Sequence, residues 1–301
     1  MSAVALDQVK MFEPEFRKHP FEFYARLRAE MPVYRTNLPD KTPVWLLSRY
    51  DDVVNLTKDP RFVKNKSNVP GMRVPWMPPA LKTITNSLVW ADPPDHTRLR
   101  NLVHKAFTPK FIENMRERIQ AICDDLLDKA ERKPTSMDLI DDFALPLPVK
   151  VITEVLGIPE EDRHRFQKWT KNAVDVSSAG SPMLMLPSML MFTRYIHGFI
   201  KMRRDNPRDD LVSSLIKAEE AGDKLSMDEL SAMIFVLLVA GHETTVNLFS
   251  LGTLELLTHP DQKALFMNDP SVRGSALEEL LRYTTPVELL TERYAAEAMT
   301  L

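Results

Sequence analysis

Residues 226–259 read SMDELSAMIFVLLVAGHETTVNLFSLGTLELLTH, and this stretch decides the fold. Ser226 and Glu229 stand three positions apart, the spacing of a capping box that satisfies free N–H groups at the start of a helix. Pro260 follows the stretch and ends the helix. At about 1.5 Å per residue, the pattern predicts a single helix roughly 48 Å long. Its middle, residues 233–241, is apolar on every side, which predicts burial in a core.

One turn of this helix departs from ordinary helix composition. Gly241 costs about 1 kcal/mol relative to alanine inside a helix, and Glu243 and the β-branched Thr244 follow it. A glycine, an acid expected to be buried and a hydroxyl within one turn are typical of a functional site. Ala240 and Gly241 leave room for a flat ligand, to which Glu243 and Thr244 can relay protons. The alternative is close helix packing through the small residues.

Composition restricts the class of protein. The 301 residues are 44% apolar with a formal net charge of −3, which suits one or two globular domains and gives no case for a nucleic-acid partner. The single Cys123 excludes an internal disulfide and a cysteine-based zinc site, and Val246 stands where a zinc protease has its second histidine. The N-terminus lacks signal-peptide features and the apolar run is shorter than a membrane span of ~18 residues. We therefore expect a soluble cytoplasmic protein with no membrane partner.

Apolar spacing predicts a mainly α protein. Helices are predicted at about residues 20–30, 51–56, 92–107, 108–131, 144–156, 160–176, 191–204, 210–221, 226–259, 260–267 and 271–283. Asp92 is expected to cap its helix, with Pro93 in the first helical position. We expect one domain over residues 1–301, with a β-rich region at about 33–48 and 286–301 and a helical region at about 92–283.

A methionine-rich stretch, residues 177–191, separates two of the predicted helices. Methionine is flexible and repacks easily, so the stretch can serve as a lid over an apolar ligand. The alternative is an ordinary packed connection, and the sequence favours neither.

Two charged pairs have helical spacing. His96 and Arg100 stand four positions apart and share a helix face, where they can hold carboxylates. A solvated helix face is the simpler interpretation of that pair. Glu279 and Arg282 stand three positions apart among leucines, which predicts a partly buried ion pair.

The order and spacing of three motifs resemble the bacterial cytochromes P450, which are soluble haem-thiolate monooxygenases. The motifs are Asp-Pro-Pro-Asp-His-Thr-Arg-Leu-Arg at 92–100, Ala-Gly-His-Glu-Thr-Thr at 240–245 and Glu-Glu-Leu-Leu-Arg-Tyr at 278–283. The resemblance implies a mainly helical fold with a small β region, haem b as cofactor and insertion of one oxygen atom from O2 into an apolar organic substrate. It also implies a ferredoxin or flavodoxin-type electron donor.

The resemblance assigns roles to individual residues. Thr244 is expected to hydrogen-bond the bound dioxygen and Glu243 to help deliver protons, with Ala240 and Gly241 against the haem. The residues expected to hold the haem propionates are His96, Arg100 and Arg293. Glu279 and Arg282 match the structural ion pair of the family. The expected substrate pocket includes Leu88, Val89, Val239, Val287 and Leu289.

One departure from the family pattern concerns the iron ligand. The family has a cysteine in a Phe-Gly-x-Gly-x-His-x-Cys-x-Gly loop, and these 301 residues contain no such loop. Cys123 matches no ligand motif, and without a thiolate the electron push that favours O–O cleavage is absent. We therefore expect a truncated chain, with the C-terminal part of the fold missing, that is inactive alone. The alternatives are a fragment that binds haem or a hydrophobic ligand weakly without catalysis, or a purely structural helical remnant.

Overall fold

The computed structural model divides into two compact units. It describes residues 20–38, 41–74, 76–78, 86–163, 182–220 and 225–299, together with Met11, Phe16, Lys82, Arg165, Phe166 and Trp169. The smaller unit comprises residues 1–75, 178–181 and 292–301, and the larger unit comprises residues 76–177 and 182–291.

The described part of the smaller unit contains helices and short antiparallel strand pairs. Its elements are α1 (Pro20–Glu30), β1 (Val33–Asn37), β2 (Pro43–Leu47), α2 (Tyr50–Lys58), β3 (Phe62–Val63) and β4 (Tyr294–Ala295). Within the β-rich region predicted at about 33–48, β1 and β2 form an antiparallel hairpin, with Val33 opposite Leu47. Of the extended structure expected over 286–301, the described residues 286–299 contain the strand β4, which pairs with β3. The core of this unit forms around Phe23, Leu27 and Tyr34.

The larger unit is helical in its described residues. Its helices are α3 (Asp95–Ala106), α4 (Pro109–Asn114), α5 (Arg116–Glu131), α6 (Pro146–Val155), α7 (Pro182–Asp205), α8 (Leu211–Glu220), α9 (Met227–Thr258), α10 (Pro260–Asn268) and α11 (Arg273–Thr284). Shorter turns include the 3-10 turn Leu88–Trp90 and the π-helical turn Ile140–Ala144. The mainly α fold predicted from sequence is therefore confirmed.

Several predicted helix boundaries are wrong in detail. The helix expected from Asp92 begins at Asp95, and Pro94 occupies the N-cap position without a side-chain cap. Two successive prolines delay the helix, because a proline disfavours the helical conformation in the residue before it, here Asp92 and Pro93. The helix predicted over 108–131 is split at Met115 into α4 and α5. For residues 160–176, the described part contains the 3-10 turn Glu160–Asp162, and residues 170–176 lie outside it.

α9 is the predicted 32-residue central helix. Its capping box is complete: Ser226 N–H donates to Glu229 Oε2 at 2.8 Å, and Glu229 N–H donates to Ser226 Oγ at 3.1 Å. The first half is buried, up to Leu238, but Ala240 is exposed, so the burial predicted over 233–241 is too broad. By length and composition α9 also passes the criteria for a membrane span, although its apolar run is short; core helices of soluble proteins pass the same test.

In the described residues, the main core of the larger unit contains side chains of α3, α6, α7, α8 and α9, together with Phe166 and Trp169. Leu102, Leu156, Ile196 and Leu230 are fully buried in it. Met189, from the methionine-rich stretch, lies in the same core and within α7. Residues 177–181 lie outside the described residues, so the lid hypothesis stays a prediction for them, whereas Met189 fits a packed connection.

A buried ion pair joins α7 to the start of α8. Arg203 Nε lies 2.6 Å from Asp210 Oδ2, and the two side chains are 2% and 4% exposed. The two groups are not aligned as a hydrogen bond, but Arg203 also donates to Gly157 O at 2.6 Å and Asp210 accepts from Ser213 N–H at 2.8 Å. Gly157 has φ +75°, and a Cβ there would collide with the Asp210 carboxylate. The pair therefore requires glycine at position 157.

Candidate functional site

The turn of α9 that contains Gly241, Glu243 and Thr244 is stabilised by hydrogen bonds from side chains to backbone carbonyls. Thr244 Oγ1 donates to Ala240 O at 2.8 Å, and Thr245 Oγ1 lies 3.4 Å from Gly241 O. His242 Nδ1 is 2.8 Å from Leu238 O, where it acts as the donor. Such bonds are common for hydroxyls inside helices and often bend them. The Thr244 hydroxyl is therefore held beside the exposed Ala240.

Glu243 is exposed, which corrects the expectation of a buried acid. It lies five positions after the buried Leu238, which places it about 140° around the helix axis at 3.6 residues per turn. Among the residues that the structure describes, Glu243 has no hydrogen bond or ion pair. Its carboxylate can therefore exchange protons with solvent directly.

Gly241 faces a neighbouring helix. A Cβ built on it would lie 3.2 Å from the Ile152 side chain of α6, which is tighter than ordinary packing. Close helix packing, the alternative interpretation of the small residues, therefore describes Gly241. Ala240, next to it, is exposed and remains open to a ligand.

An open cleft of about 340 Å³ lies beside this turn. It is lined by Thr244, Thr245, Leu248, Leu281, Thr285, Pro286 and Val287. Of the predicted pocket residues Val287 lines this cleft, while the exposed Leu289 does not. Leu248 was missed from sequence, although its position four residues after Thr244 on the same helix face could have identified it.

A turn with a left-handed residue follows α11 and leads to the cleft. Thr285 ends the helix in the left-handed region, at φ 47° and ψ 71°. A β-branched residue in that region costs on the order of 1–3 kcal/mol and persists only where its surroundings fix it. Thr285 Oγ1 donates to Arg282 O at 3.2 Å, and Asn247 Nδ2 of α9 donates to Pro286 O at 3.2 Å. This turn brings Pro286 and Val287 to the cleft.

The helix α3 carries the predicted cationic face. Arg100 is exposed and, within the described residues, has no ion-pair partner, whereas His96 is half-buried. Between them, Arg98 binds Glu229 of the α9 capping box and lies 3.5 Å from Asp95. The Arg98–Glu229 pair therefore ties the start of α3 to the start of α9.

The Glu229 carboxylate serves both its own helix and α3. Burial acts to raise its pKa, but hydrogen bonds from Ser226 and Arg98 outweigh burial, and the pKa is lowered. A depressed carboxylate pKa means that stability is present above the unfolded pKa and is lost as pH falls through the folded pKa.

Two substitutions separate the charge of Glu229 from its capping role. Glu229→Ala removes both and is expected to lower the free energy of unfolding by about 2 kcal/mol at neutral pH. Glu229→Gln keeps a capping-box side chain and is expected to cost less. The measurement is urea unfolding as a function of pH. The difference between wild type and Glu229→Gln should shrink as pH falls through the folded pKa of Glu229; a difference independent of pH would contradict the charge assignment.

The remaining predicted pocket residues lie near the core of the larger unit. Leu88 and Val89 belong to the 3-10 turn Leu88–Trp90, which packs against α3 and α9. Leu88 and Val239 both pack, partly buried, on the main core. The structure thus brings Leu88 and Val239 to one core cluster.

The predicted ion pair on α11 is formed, but it is exposed. Arg282 Nη2 lies 2.6 Å from Glu279 Oε1, with the side chains 68% and 59% exposed. The hydrogen bond from Arg282 lowers the pKa of Glu279. The partial burial expected from flanking leucines is wrong, because no residue of α11 is buried in this structure. Arg293 lies in the smaller unit, where it donates to Glu292 O at 3.2 Å.

Cys123 lies within α5, half-buried on a small cluster with Ile122, Leu126 and Leu147. Burial, and to a lesser degree the neighbouring Asp124, raises the pKa of its thiol. A raised thiol pKa disfavours the thiolate that metal binding requires. Cys123 is therefore a packing residue.

Comparison with known proteins gives consistent matches. A family model described as Cytochrome P450 matches residues 8–268. The polyketide biosynthesis cytochrome P450 PksS of Bacillus subtilis (strain 168) is 44% identical over 299 residues, which span 96% of this chain and 73% of that protein. The solved structure of that PksS matches with a TM-score of 0.89 at 43% identity, over 98% of this chain and 74% of that one. The structure of P450BioI with an acyl carrier protein ligated to hexadec-9Z-enoic acid matches with a TM-score of 0.85 at 33% identity, over 95% and 74%.

Proposed function

This chain belongs to the cytochrome P450 family, and from that premise we propose that the cleft beside Thr244 is where dioxygen and an apolar organic substrate meet. Family membership gives the reaction: a haem b-dependent monooxygenase inserts one atom of O2 into an organic molecule. The observation that supports this site is the cleft itself, since it places the Thr244 hydroxyl among apolar side chains. Monooxygenation is favoured over the alternatives of a weak ligand binder and a structural remnant.

The described residues around α9 and α3 fit a haem in part. Haem is a flat, apolar ring with two carboxylates, and it activates dioxygen when bound. Ala240 is small and exposed, and the cleft beside it is mostly apolar. Arg100 is an exposed cation without an ion-pair partner in the described part of the chain. An axial thiolate is not supplied by Cys123, whose thiol is packed against α5 neighbours.

Individual residues are given the following roles. Arg100 and His96 hold the propionates, whereas Arg293 belongs to the smaller unit, and its expected propionate role stays a prediction from the family resemblance. Ala240 forms the wall next to the ring, and Gly241 allows α6 to approach α9 closely. Val287 contributes apolar surface to the cleft. Leu88, Val89, Val239 and Leu289 do not line it, and their part in substrate binding stays a prediction from the family resemblance. Glu279 and Arg282 form a structural pair.

Thr244 and Glu243 together provide a path for protons. A hydroxyl has one donor and two acceptor positions, so Thr244 can donate into the cleft after it rotates away from Ala240 O. Glu243 is exposed and adjacent in sequence, so it can take protons from solvent and pass them toward that hydroxyl.

The partners follow from the family in general terms. An organic substrate, O2 and an electron-donating protein are required, and we propose a ferredoxin or flavodoxin-type donor in the cytoplasm. PksS is named for polyketide biosynthesis, so polyketide-like molecules are the first substrate class to test.

The polypeptide of these 301 residues is proposed to bind hemin without thiolate ligation and to be inactive alone. Added hemin should give a Soret change that saturates at about one per chain. Arg100→Gln should weaken binding about tenfold, the contribution of a charge-assisted hydrogen bond. After reduction and exposure to carbon monoxide, the absorption band typical of thiolate-ligated haem should not form.

The matched control for this experiment is Lys105→Gln, which removes an exposed cation from the same helix. It should leave hemin binding unchanged, and full-length PksS should give the thiolate band under the same conditions. A thiolate band from the 301-residue polypeptide would overturn the inactivity proposal. If Arg100→Gln and Lys105→Gln weaken hemin binding equally, Arg100 acts only through the overall positive charge of the helix.

A further inference from the structure

The cleft beside Thr244 has a second side, formed by residues 285–287, which we call the cleft wall. None of its residues lies in a helix or a strand. It therefore lacks the regular backbone hydrogen bonds that hold secondary structure in place. Side-chain contacts therefore fix the distance between the cleft wall and α9.

Packing and a hydrogen bond connect this region to α9. The first is packing: Leu280 of α11 fits against Gly252, where an added Cβ would meet it at 3.5 Å. The second is the hydrogen bond from Asn247 Nδ2 to Pro286 O, at 3.2 Å. The packing contact positions α11, but it precedes the left-handed turn at Thr285. The Asn247 contact acts on the wall after that turn.

The Asn247 contact is well placed for control of the cleft. Asn247 is three positions after Thr244, so the two side chains project from adjacent turns of the same helix side. Pro286 has no N–H, which leaves its carbonyl as the backbone group through which it can be held. The side chain of Asn247 is only partly exposed, so the bond is shielded in part from competing water.

We propose that Asn247 is a positioning residue that fixes Val287 on the cleft that it shares with Thr244, and so sets the room for substrate there. This inference rests on the proposed function, because it takes the cleft to be the substrate site. Asn247 touches neither substrate nor cofactor in this role. It acts through the Pro286 carbonyl and the short segment that follows it.

Asn247→Asp is the most informative substitution. The aspartate has the same shape, but its carboxylate cannot donate and would face the Pro286 carbonyl with an acceptor. Ser250→Ala is the matched control, because Ser250 Oγ donates at 2.8 Å to Val246 O within α9 and does not reach the wall. Both variants change one polar group on the second half of the same helix.

The first measurement is amide hydrogen exchange of the 301-residue chain, followed by mass spectrometry. In Asn247→Asp, the amides in the last turn of α11, residues 281–284, which are protected by helical hydrogen bonds and carry the wall, should exchange about fivefold faster, the factor expected for one typical intramolecular hydrogen bond. Ser250→Ala should leave the exchange of those amides unchanged. Unchanged exchange in Asn247→Asp, or an equal rise in both variants, would overturn the proposal.

The second measurement uses the hemin-loaded chain and two probes, imidazole and 4-phenylimidazole. Both bind haem iron through an imidazole nitrogen, and 4-phenylimidazole needs additional room for its phenyl ring. Asn247→Asp should change the ratio of their dissociation constants about fivefold while imidazole affinity stays constant. A constant ratio, with exchange raised, would show that the wall is held by Asn247 but does not set the room in the cleft. If wild type binds no hemin, the proposed function fails, and hydrogen exchange alone decides the role of Asn247.

Discussion

Thr244→Ala is expected to uncouple electron consumption from product formation. Thr244 and Thr245 are the two α9 threonines that line the cleft, and the Thr244 hydroxyl is held there by its bond to Ala240 O at 2.8 Å. In the proposed proton path, the hydroxyl that passes protons from Glu243 into the cleft would then be missing. A positioned general acid contributes roughly 10²-fold or more to a proton-transfer step. Product per electron consumed should therefore fall strongly while electrons continue to be used.

The measurement requires thiolate-ligated haem. A chimera of this chain with the part of PksS that carries the cysteine loop of the family provides it. Thr258→Ala is the matched control, because Thr258 Oγ1 makes the same kind of bond, to Leu254 O at 3.0 Å, at the far end of α9. Coupling that is equal in Thr244→Ala and wild type would refute the role of Thr244.

Arg203→Met is expected to lower the free energy of unfolding of the 301-residue chain by about 3–5 kcal/mol. Removal of one partner of a buried ion pair leaves the other charge buried without compensation. Here that charge is Asp210, which is 4% exposed. The Gly157 carbonyl also loses its donor. Urea or thermal unfolding measures the change.

An exposed pair with the same separation isolates the effect of burial. Arg116 Nε and Glu113 Oε1 are also 2.6 Å apart, but their side chains are 75% and 65% exposed. Arg116→Met should leave stability unchanged, since exposed pairs contribute little. In addition, Arg203→Met combined with Asp210→Leu should recover part of the loss, because no buried charge remains. Equal stability of the two single variants would contradict this account.

Signals that are local in sequence predicted much of this molecule. The capping box of Ser226 and Glu229 located α9 to within one residue, because a helix start depends on residues three positions apart. The β-rich region predicted at about 33–48 is the hairpin of β1 and β2, whose paired residues are also close in sequence. The three family motifs then identified the fold and the reaction, which cannot be inferred from the spacing of apolar and charged residues alone.

Features that depend on long-range packing were not predicted. The sequence places Glu243 in an apolar helix but does not say which helix faces receive neighbours, and that side of α9 is exposed. The sequence also does not identify the residue that packs against Gly241, which in the structure is Ile152 of α6. The cleft wall depends on a left-handed threonine at position 285, which residue preferences do not favour.

Gly157 limits how this chain can be re-engineered. Replacement of glycine by alanine is a standard way to stabilise a fold, because it reduces the freedom of the unfolded chain. At Gly198, inside α7, nothing lies near an added methyl group, and the strategy is open. At Gly157 it is closed for two independent reasons, a positive φ and the Asp210 carboxylate. Any sequence that keeps the Arg203–Asp210 pair must therefore keep this glycine, so the three positions can vary only together.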